Sequence, residues 1–245
     1  DNSGVLKYIS IRHGGITIGE GNELNGLTLG GVGTGTVIDN IEIYATLDDG
    51  VEFFGGTVNA SNILVYYQGD DGIDLDQNYS GTIENFAIIS GDGIGTDESL
   101  EIDGPEGSTY TDGLFTLKNG ICKLDGSEGS FGDFKSKAQG NVMNVSFEGS
   151  KKIKFRTNFV DPGVDCAHKS DAYKYLVTDN KLIYTGINLG SATIDVYEGD
   201  ETGLCASELS SAVTTAPTKV GTGAGASLDV ASTFSWTAAA ANSQL

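Results

Sequence analysis

Two segments, I-E-I-Y-A-T-L-D-D-G-V-E-F-F-G-G-T (residues 41–57) and I-L-V-Y-Y-Q-G-D-D-G-I-D-L-D-Q (residues 63–77), decide the fold. They match at a constant offset of 22 residues, which is the distance from Asp49 to Asp71 (71 − 49). An internal repeat of this length indicates the coil of a solenoid. The repeat says more about architecture than about substrate.

The flanking sequence extends the same pattern of short strands and glycine corners. Residues 4–12 alternate apolar and polar, as a half-buried strand does. A looser copy of the repeat covers residues 83–103, with its corner at residues 91–93. A β-sandwich would not repeat the same corner at a constant offset, and a propeller blade needs about 40 residues. The sequence therefore predicts an all-β, right-handed parallel β-helix with coils of about 22 residues.

The repeat fades after Pro162, which divides the chain into a predicted β-helix (residues 1–165) and a C-terminal region of coils and cap (residues 166–245). Near the end, Phe234-Ser235-Trp236 precedes an Ala-rich stretch that predicts a short helix. Because the last coil of a solenoid needs a cover, we expect this segment to dock there as a lid.

Composition excludes several classes of partner. The 245 residues include 34 Asp and Glu against 14 Lys and Arg, a formal net charge of −20. This balance argues against binding to nucleic acid and to anionic membrane surfaces. No run of about 18 apolar residues is present, so we expect no membrane span. The charge suits a protein exposed outside a cell, or one that holds cations.

The three cysteines differ in their surroundings. Cys122 lies in an apolar strand pattern and is expected to be a buried free thiol. Cys166 and Cys205 lie in polar, loop-like sequence and are predicted to form a disulfide, which implies an oxidising compartment. The alternative is two unpaired surface thiols.

The predicted coils stack acidic residues about 4.8 Å apart. The expected columns are Asp49–Asp71–Asp92, Asp48–Asp70 and Glu52–Asp74. Carboxylates at this spacing repel one another and raise one another's pKa unless something compensates their charge. Three compensations remain open: structural Ca²⁺ bound by Asp49, Asp71, Asp74 and Asp92, backbone N–H groups at the Asp-Gly corners, or a working acid/base pair. Corner aspartates that simply face water are the plainest interpretation.

A catalytic interpretation would use Glu52, Asp71 and Asp74 on polysaccharides, by analogy with other β-helices. Residues 69–73 faintly resemble the Asp-Asp motif of polygalacturonase-type glycosidases. The Asn-Thr-Asp, Gly-His-Gly and Arg-Ile-Lys motifs of those enzymes are absent. A lyase would need a Lys or Arg beside the acids, and residues 40–103 contain neither. These absences weigh against catalysis.

Other polar and aromatic features have two interpretations each. Tyr44, Tyr66 and Tyr67 form either a sugar-stacking platform or, as the repeat favours, an ordinary aromatic ladder. His13 is expected to end a strand rather than to bind a ligand. The basic strand at residues 151–156 either pairs with the acidic coils of a neighbour or forms a solvated face.

Four segments resemble secreted or surface-lipoprotein β-helix proteins of Bacteroidota. They are residues 3–15, 23–33, 48–57 and 70–77, and the ending Phe234-Ser235-Trp236-Thr237 is similar to that group's C-terminus. The resemblance implies an extracellular or outer-surface location and implies no activity.

The leading functional prediction is a non-enzymatic surface protein that acts as a scaffold, an adhesin or a component of an assembly. Its first strand begins near residue 1 with no cover, so a protein partner or further β-helix coils are expected at that end. The alternative is a polysaccharide-binding or polysaccharide-degrading protein that uses Glu52, Asp71 and Asp74. Calcium as a purely structural ion is the third possibility.

Overall fold

The computed structural model describes residues 1–16, 19, 24–199 and 203–245. Seventeen strands are present in these residues. In chain order they are β1 (Val5–Arg12), β2 (Leu27–Gly30), β3 (Val37–Tyr44), β4 (Val51–Phe54), β5 (Ala60–Tyr66), β6 (Ile73–Asp76), β7 (Thr82–Ser90), β8 (Leu100–Ile102), β9 (Phe115–Leu124), β10 (Gly132–Phe134), β11 (Gly140–Glu148), β12 (Lys152–Thr157), β13 (Phe159–Asp161), β14 (Asp165–His168), β15 (Leu182–Ile187), β16 (Thr193–Glu198) and β17 (Val220–Thr222).

The described strands form two long parallel sheets. The first sheet has the order β1-β3-β5-β7-β9-β11-β15-β17, and the second has the order β16-β12-β10-β8-β6-β4-β2. Strands β13 and β14 pair separately and antiparallel. Because successive strands alternate between the two sheets, each pair of strands is one coil. The predicted right-handed parallel β-helix is confirmed.

The short helices all lie in the C-terminal third. They are α1 (Ala172–Lys174), α2 (Ala206–Thr215), α3 (Val230–Thr233) and α4 (Ala238–Ala241), with a π-helical turn at Tyr175–Asp179 and a 3-10 turn at Ala216–Thr218. No helix in the described part of the chain is long and apolar enough to cross a membrane.

The 22-residue period holds between the two repeat segments, and the length of the other coils varies. Ile41 pairs with Ile63, an offset of 22 (63 − 41). Ile73 pairs with Leu100, an offset of 27 (100 − 73), because residues are inserted at the corner between β7 and β8. The Asp-Asp-Gly corner itself requires glycine: a Cβ on Gly72 would lie 2.6 Å from the Ser99 carbonyl oxygen of the next coil.

The core is built from stacked columns of apolar side chains. One column in the first sheet contains Ile43, Val65, Ile88, Cys122 and Phe147, which are all buried. Burying each large apolar side chain contributes roughly 1.5–3 kcal/mol. The Cys122 thiol is free and fits this column as a small apolar group.

An asparagine ladder bends the strands of the first sheet. At one register position, six stacked non-glycine residues have φ between 52° and 59°: Tyr8, Asn40, Asn62, Asn85, Asn119 and Asn144. Asparagine tolerates this left-handed conformation better than most residues. The side chains also bond along the stack, with Asn119 donating to Asn85 at 2.7 Å and Asn85 donating to Asn62 at 3.1 Å.

Residues 226–245 form a segment, here called the C-terminal strap, that runs back across the outside of the first sheet. It begins at Ser146 on β11, and its Trp236 reaches Tyr8 on β1 with ring centroids 5.5 Å apart. Near its end, the N–H groups of Ala238 and Ala239 donate to the buried Glu42 carboxylate at 3.0 and 2.9 Å.

The expectation that this segment covers the last coil is therefore wrong. The strap instead covers apolar outward residues of the first sheet, Leu64 and Ala87, and supplies donors to a carboxylate that would otherwise be buried without enough partners. Helix α2 packs on β16 and adds Ala212 to the core at the end of the solenoid. A disulfide between Cys166 and Cys205 holds the start of α2 to β14.

Candidate functional site

The outer surface of the second sheet carries a continuous set of acidic residues, here called the acidic face. Along β6, Ile73 and Leu75 point into the core, so Asp74 and Asp76 point outward. The acidic face comprises Asp49, Glu52, Asp71, Asp74, Asp76, Glu98, Glu101 and Asp103. Strand pairing aligns one column across it, in the order Glu52, Asp74, Glu101, Asp133, Lys154.

A second column lies at the corner before β4, β6 and β8. The Asp71 N–H donates to Asp49 Oδ1 at 3.0 Å, and the Glu98 N–H donates to Asp71 Oδ1 at 2.7 Å. Each aspartate thus compensates part of its charge with a backbone donor from the next coil. This is the second of the three compensations that the sequence leaves open.

Asp92 does not belong to this column, although the sequence suggests it. The insertion before β8 makes Glu98 the residue that follows Asp71, and it places Asp92 on an exposed loop. There Asp92 accepts a hydrogen bond from the Glu128 N–H at 3.1 Å. The expectation that Asp49, Asp71 and Asp92 stack is therefore wrong in its third member.

The carboxyl groups of Asp49, Glu52 and Asp74 meet at one point, here called the carboxyl triad. One oxygen from each lies within 4.8 Å of the others, and all three side chains are buried. The Asn25 amide donates to Glu52 Oε2. Asp74 is only 6% exposed, and its Oδ1 has no hydrogen-bond partner within the described residues.

Burial and mutual repulsion raise the pKa of every member of the carboxyl triad. Desolvation is the largest cause in each case. The pKa of Asp74 rises to about 9, with the charges of Asp76, Asp49 and Glu52 adding to the effect of burial. The pKa of Glu52 rises to about 8 and that of Asp49 to about 7. Three carboxyl groups that resist ionisation together form either a proton-holding cluster or a cation site.

Three further acidic groups adjoin the carboxyl triad in the described part of the chain. In one of them Asp48 and Asp70 lie with Asp49 itself. Asp71 lies with Glu98 and Glu101, and burial followed by the charge of Glu98 raises the pKa of Asp71 well above its usual value. Asp76 and Asp103 lie with the exposed Glu106, and burial raises their pKa values to about 6 and about 7. Of the predicted catalytic residues, Glu52 and Asp74 therefore share one group, and Asp71 belongs to its neighbour.

The opposite end of the same sheet supplies positive charge. Lys154 forms ion pairs with Glu98 and with Asp133, the latter at 3.1 Å. Lys135 pairs with Glu101 and lies 3.8 Å from Asp103. The basic strand thus pairs with acidic coils of its own chain.

Sequence reasoning missed these lysines because it searched only residues 40–103 for a base. Lys154 reaches Glu98 across two coil steps, Glu101 to Asp133 (an offset of 32) and Asp133 to Lys154 (an offset of 21). The alternation in residues 151–156 was the available signal, but unequal coil lengths hide which residue each lysine meets.

Burial opposes the charge on Lys154, but its hydrogen bond to Glu98 and the charge of Asp133 outweigh that effect and raise its pKa. Lys154 therefore keeps its proton at neutral pH. A protonated lysine binds anions and cannot act as a general base.

A family model described as a pectate-lyase-like beta helix domain matches residues 1–241. No curated protein and no solved structure matches the chain. The resemblance to the Bacteroidota surface proteins stays a prediction.

Proposed function

The chain belongs to the pectate-lyase-like β-helix family, and on that premise we propose that its acidic face binds an acidic polysaccharide through a divalent cation. The carboxyl triad, Asp49, Glu52 and Asp74, is the proposed cation site. Calcium is the expected ion because the ligands are all carboxylate oxygens, the hard ligands that Ca²⁺ takes in proteins.

The observation that carries this proposal is the Asp74 Oδ1 atom, which is buried among carboxylates and has no hydrogen-bond partner within the described residues. A buried polar atom without a partner costs free energy, and a bound cation would remove that cost. A cation would also offset much of the local negative charge. A polyanion would otherwise be repelled by this face.

Binding is favoured over eliminative cleavage because the nearest lysine of the same column, Lys154, is held in its charged form by Glu98 and Asp133. Hydrolysis has one observation in its favour. The raised pKa values of Glu52 and Asp74 leave a protonated carboxylic acid near neutral pH, as a glycosidase general acid requires. The polysaccharide experiment described below separates binding from hydrolysis.

The cation is tested by thermal unfolding with and without Ca²⁺ after EDTA treatment. A ligand at 100 times its Kd stabilises a protein by about 2.7 kcal/mol, so the melting temperature of the wild type should rise with Ca²⁺. Asp74→Asn should abolish the rise. Asp92→Asn, which removes an acid outside the carboxyl triad, should keep it. An equal rise in both variants would contradict the assignment of the site.

The polysaccharide is tested with polygalacturonate and alginate, and with neutral xylan for comparison. We expect the two polyuronates to bind in Ca²⁺, to be released by EDTA and to yield no new chain ends. New reducing ends would establish hydrolysis, and unsaturated ends would establish elimination. Failure of both polyuronates to bind in Ca²⁺ would overturn the proposed function.

A second candidate rests on the first coil. Strand β1 pairs with β3 on one edge, and within the described residues its other edge has no strand partner. Val5 and Tyr8 on this strand are exposed. An open strand edge is a template for pairing with another chain. We propose that a protein partner or further coils pair here, which would make the protein a surface scaffold or adhesin.

The size of the purified particle tests this second candidate. Light scattering should show association between copies as concentration rises, and Val5→Lys should weaken it because a lysine on an edge strand discourages pairing. A wild-type protein that stays monomeric at all concentrations would remove self-association as the explanation.

A further inference from the structure

A pocket at the turn between the two sheets is separate from the acidic face. Its walls include Tyr44, Thr46, Tyr66, Tyr67 and Gln244, and its volume is about 720 Å³. This size lies within the range of small-molecule sites, which is about 300–1,000 Å³. We propose that this tyrosine pocket binds a neutral pyranose ring of a glycan chain.

The backbone turns the tyrosines into the pocket. Strands β3 and β5 end at Tyr44 and Tyr66, whose rings stack with centroids 5.3 Å apart and an interplanar angle of 13°. The following residue of the second coil, Tyr67, has φ 57° and so leaves the strand direction. Its ring is tilted by 37° from Tyr66 at 4.8 Å. The tyrosines are thus more than a parallel ladder, because Tyr67 forms a second wall at an angle.

Polar groups occupy the same pocket. Thr46 is 3% exposed, and its hydroxyl oxygen has no hydrogen-bond partner within the described residues. The Tyr44 hydroxyl donates to Gln244 Oε1 at 2.9 Å, so the end of the C-terminal strap also contributes a wall. A hydroxyl both donates and accepts hydrogen bonds, which suits the hydroxyl groups of a sugar.

The chemistry of the walls selects a neutral ring. No carboxylate and no lysine or arginine lines the pocket within the described residues, and Leu47 and Ile94 add apolar surface. Aromatic rings with a few placed polar groups recognise a ligand that has an apolar face and a polar edge. A pyranose ring has both. Among the described residues, His13 is the one basic side chain in these walls, and its ring lies edge-on to Tyr44 with centroids 5.8 Å apart.

The pocket adjoins the acidic face along the chain, since Leu47 directly precedes Asp48 and Asp49. A glycan chain could therefore reach from one to the other. The inference extends the proposed polysaccharide function to a neutral sugar ring, and it requires no cation.

The experiment is saturation-transfer NMR in EDTA, so that a cation on the acidic face contributes nothing. The probes are neutral trisaccharides of glucose, xylose, mannose and N-acetylglucosamine, together with trigalacturonate and choline. We expect at least one neutral trisaccharide to bind. Tyr67→Ala should weaken this binding at least tenfold, and Tyr110→Ala, which removes an exposed tyrosine outside the pocket, should leave it unchanged.

Thr46→Val separates binding from folding. It preserves the shape of the side chain and removes a hydroxyl that has no partner, so the melting temperature should not fall. Affinity for the same trisaccharide should fall about fivefold because a sugar hydroxyl loses its partner. If the role of Thr46 were purely structural, the melting temperature would fall and the affinity for the trisaccharide would not change.

Three results would overturn the inference: no neutral trisaccharide binds, binding is unaffected by Tyr67→Ala and Thr46→Val, or choline alone binds. These results are distinguishable from failure of the acidic face, which shows as an absent response to Ca²⁺. Either site can therefore fail while the other stands.

Discussion

The two ends of the column that runs from Glu52 to Lys154 on the second sheet differ in charge compensation and hardly in burial. Asp74 at one end and Asp133 at the other occupy the same column of the second sheet and are 6% and 7% exposed. Asp133 accepts hydrogen bonds from Lys154 and from the Tyr197 hydroxyl. Within the described residues, the charges that act most strongly on Asp74 all belong to carboxyl groups.

The comparison shows that burial alone does not mark a functional site on this sheet. At the Asp133 end the fold supplies its own counter-charges, and burial raises the pKa of Asp133 while Lys154 lowers it. At the Asp74 end, burial and the charges of the neighbouring carboxyl groups all raise the pKa. A structure that leaves one end uncompensated provides a place for an added cation or for held protons.

The largest expected effect comes from removing the lysine that compensates Asp133, so that the Asp133 end resembles the Asp74 end. Lys154→Ala would leave Glu98 and Asp133 buried without their cation. Breaking a buried ion pair costs about 3–5 kcal/mol, and because Lys154 is 27% exposed we expect about 3 kcal/mol. Chemical denaturation at pH 7 measures the loss in the free energy of unfolding.

Lys152→Ala is the matched control, on the same strand and the same sheet. Its ion pair with Asp195 is more exposed, with Lys152 60% accessible, so the loss should be below about 1 kcal/mol. Equal losses in the two variants would mean that the pairs around Lys154 contribute no more than a surface pair.

The next largest effect is the pH dependence of stability that the carboxyl triad causes. An acid whose pKa is raised on folding binds more protons in the folded state. Its contribution to stability is present below the unfolded pKa, near 4, and is lost as pH rises through the folded pKa. For the carboxyl triad that window extends to pKa values of about 7, 8 and 9. Metal-free protein should therefore become less stable between pH 5 and pH 9.

We expect the melting temperature in EDTA to fall by about 4 °C or more over this range, equivalent to about 1–2 kcal/mol for a chain of this length. Asp74→Asn should make the decline shallower, and Asp92→Asn should not change it. A wild-type protein whose stability is constant or rises from pH 5 to pH 9 would contradict the raised pKa values.

The sequence predicts the fold well because one repeat contains all the required information. The 22-residue offset from Asp49 to Asp71 sets the register of two coils. Only glycine fits at position 72 of the corner, because the next coil approaches it closely. The same offset predicts that Glu52 stacks on Asp74, but it places Asp49 in a separate column with Asp71 and so does not predict the carboxyl triad. Local repetition is therefore sufficient where coil length is constant.

Prediction fails where coil length changes or where an element folds back. The insertion that displaces Asp92 has no period from which its length can be read. The pairing of Lys154 with Glu98 depends on two unequal coils. The C-terminal strap was expected at the last coil, but its position depends on Glu42, a buried carboxylate almost 200 residues earlier in the sequence, where α4 places its N–H groups. Such contacts are tertiary and leave no local pattern.

A smaller effect tests Tyr197, the second hydrogen-bond partner of Asp133. The Tyr197 hydroxyl donates to both oxygens of Asp133, at 2.8 and 3.0 Å. Tyr197→Phe removes this donor and preserves the ring, so stability should fall by about 1 kcal/mol, since Lys154 still pairs with Asp133. Tyr110→Phe, at an exposed site, should change the free energy of unfolding by less than about 0.5 kcal/mol. A larger loss than that of Lys154→Ala would mean that Tyr197 is the principal partner of Asp133.

The smallest expected change in stability comes from adding a lysine beside Asp74, so that the Asp74 end resembles the Asp133 end. Glu52→Lys places a cation one coil from Asp74, in the arrangement that Lys154 has with Asp133. The attraction gained offsets the cost of burying a lysine, so the metal-free protein should change by no more than about 1 kcal/mol. The rise in melting temperature with Ca²⁺ should nevertheless vanish, because the ligand is lost and a fixed positive charge occupies its place. Retention of the full Ca²⁺ response in Glu52→Lys would show that the ion binds elsewhere, and the difference between the two ends would then concern protons alone.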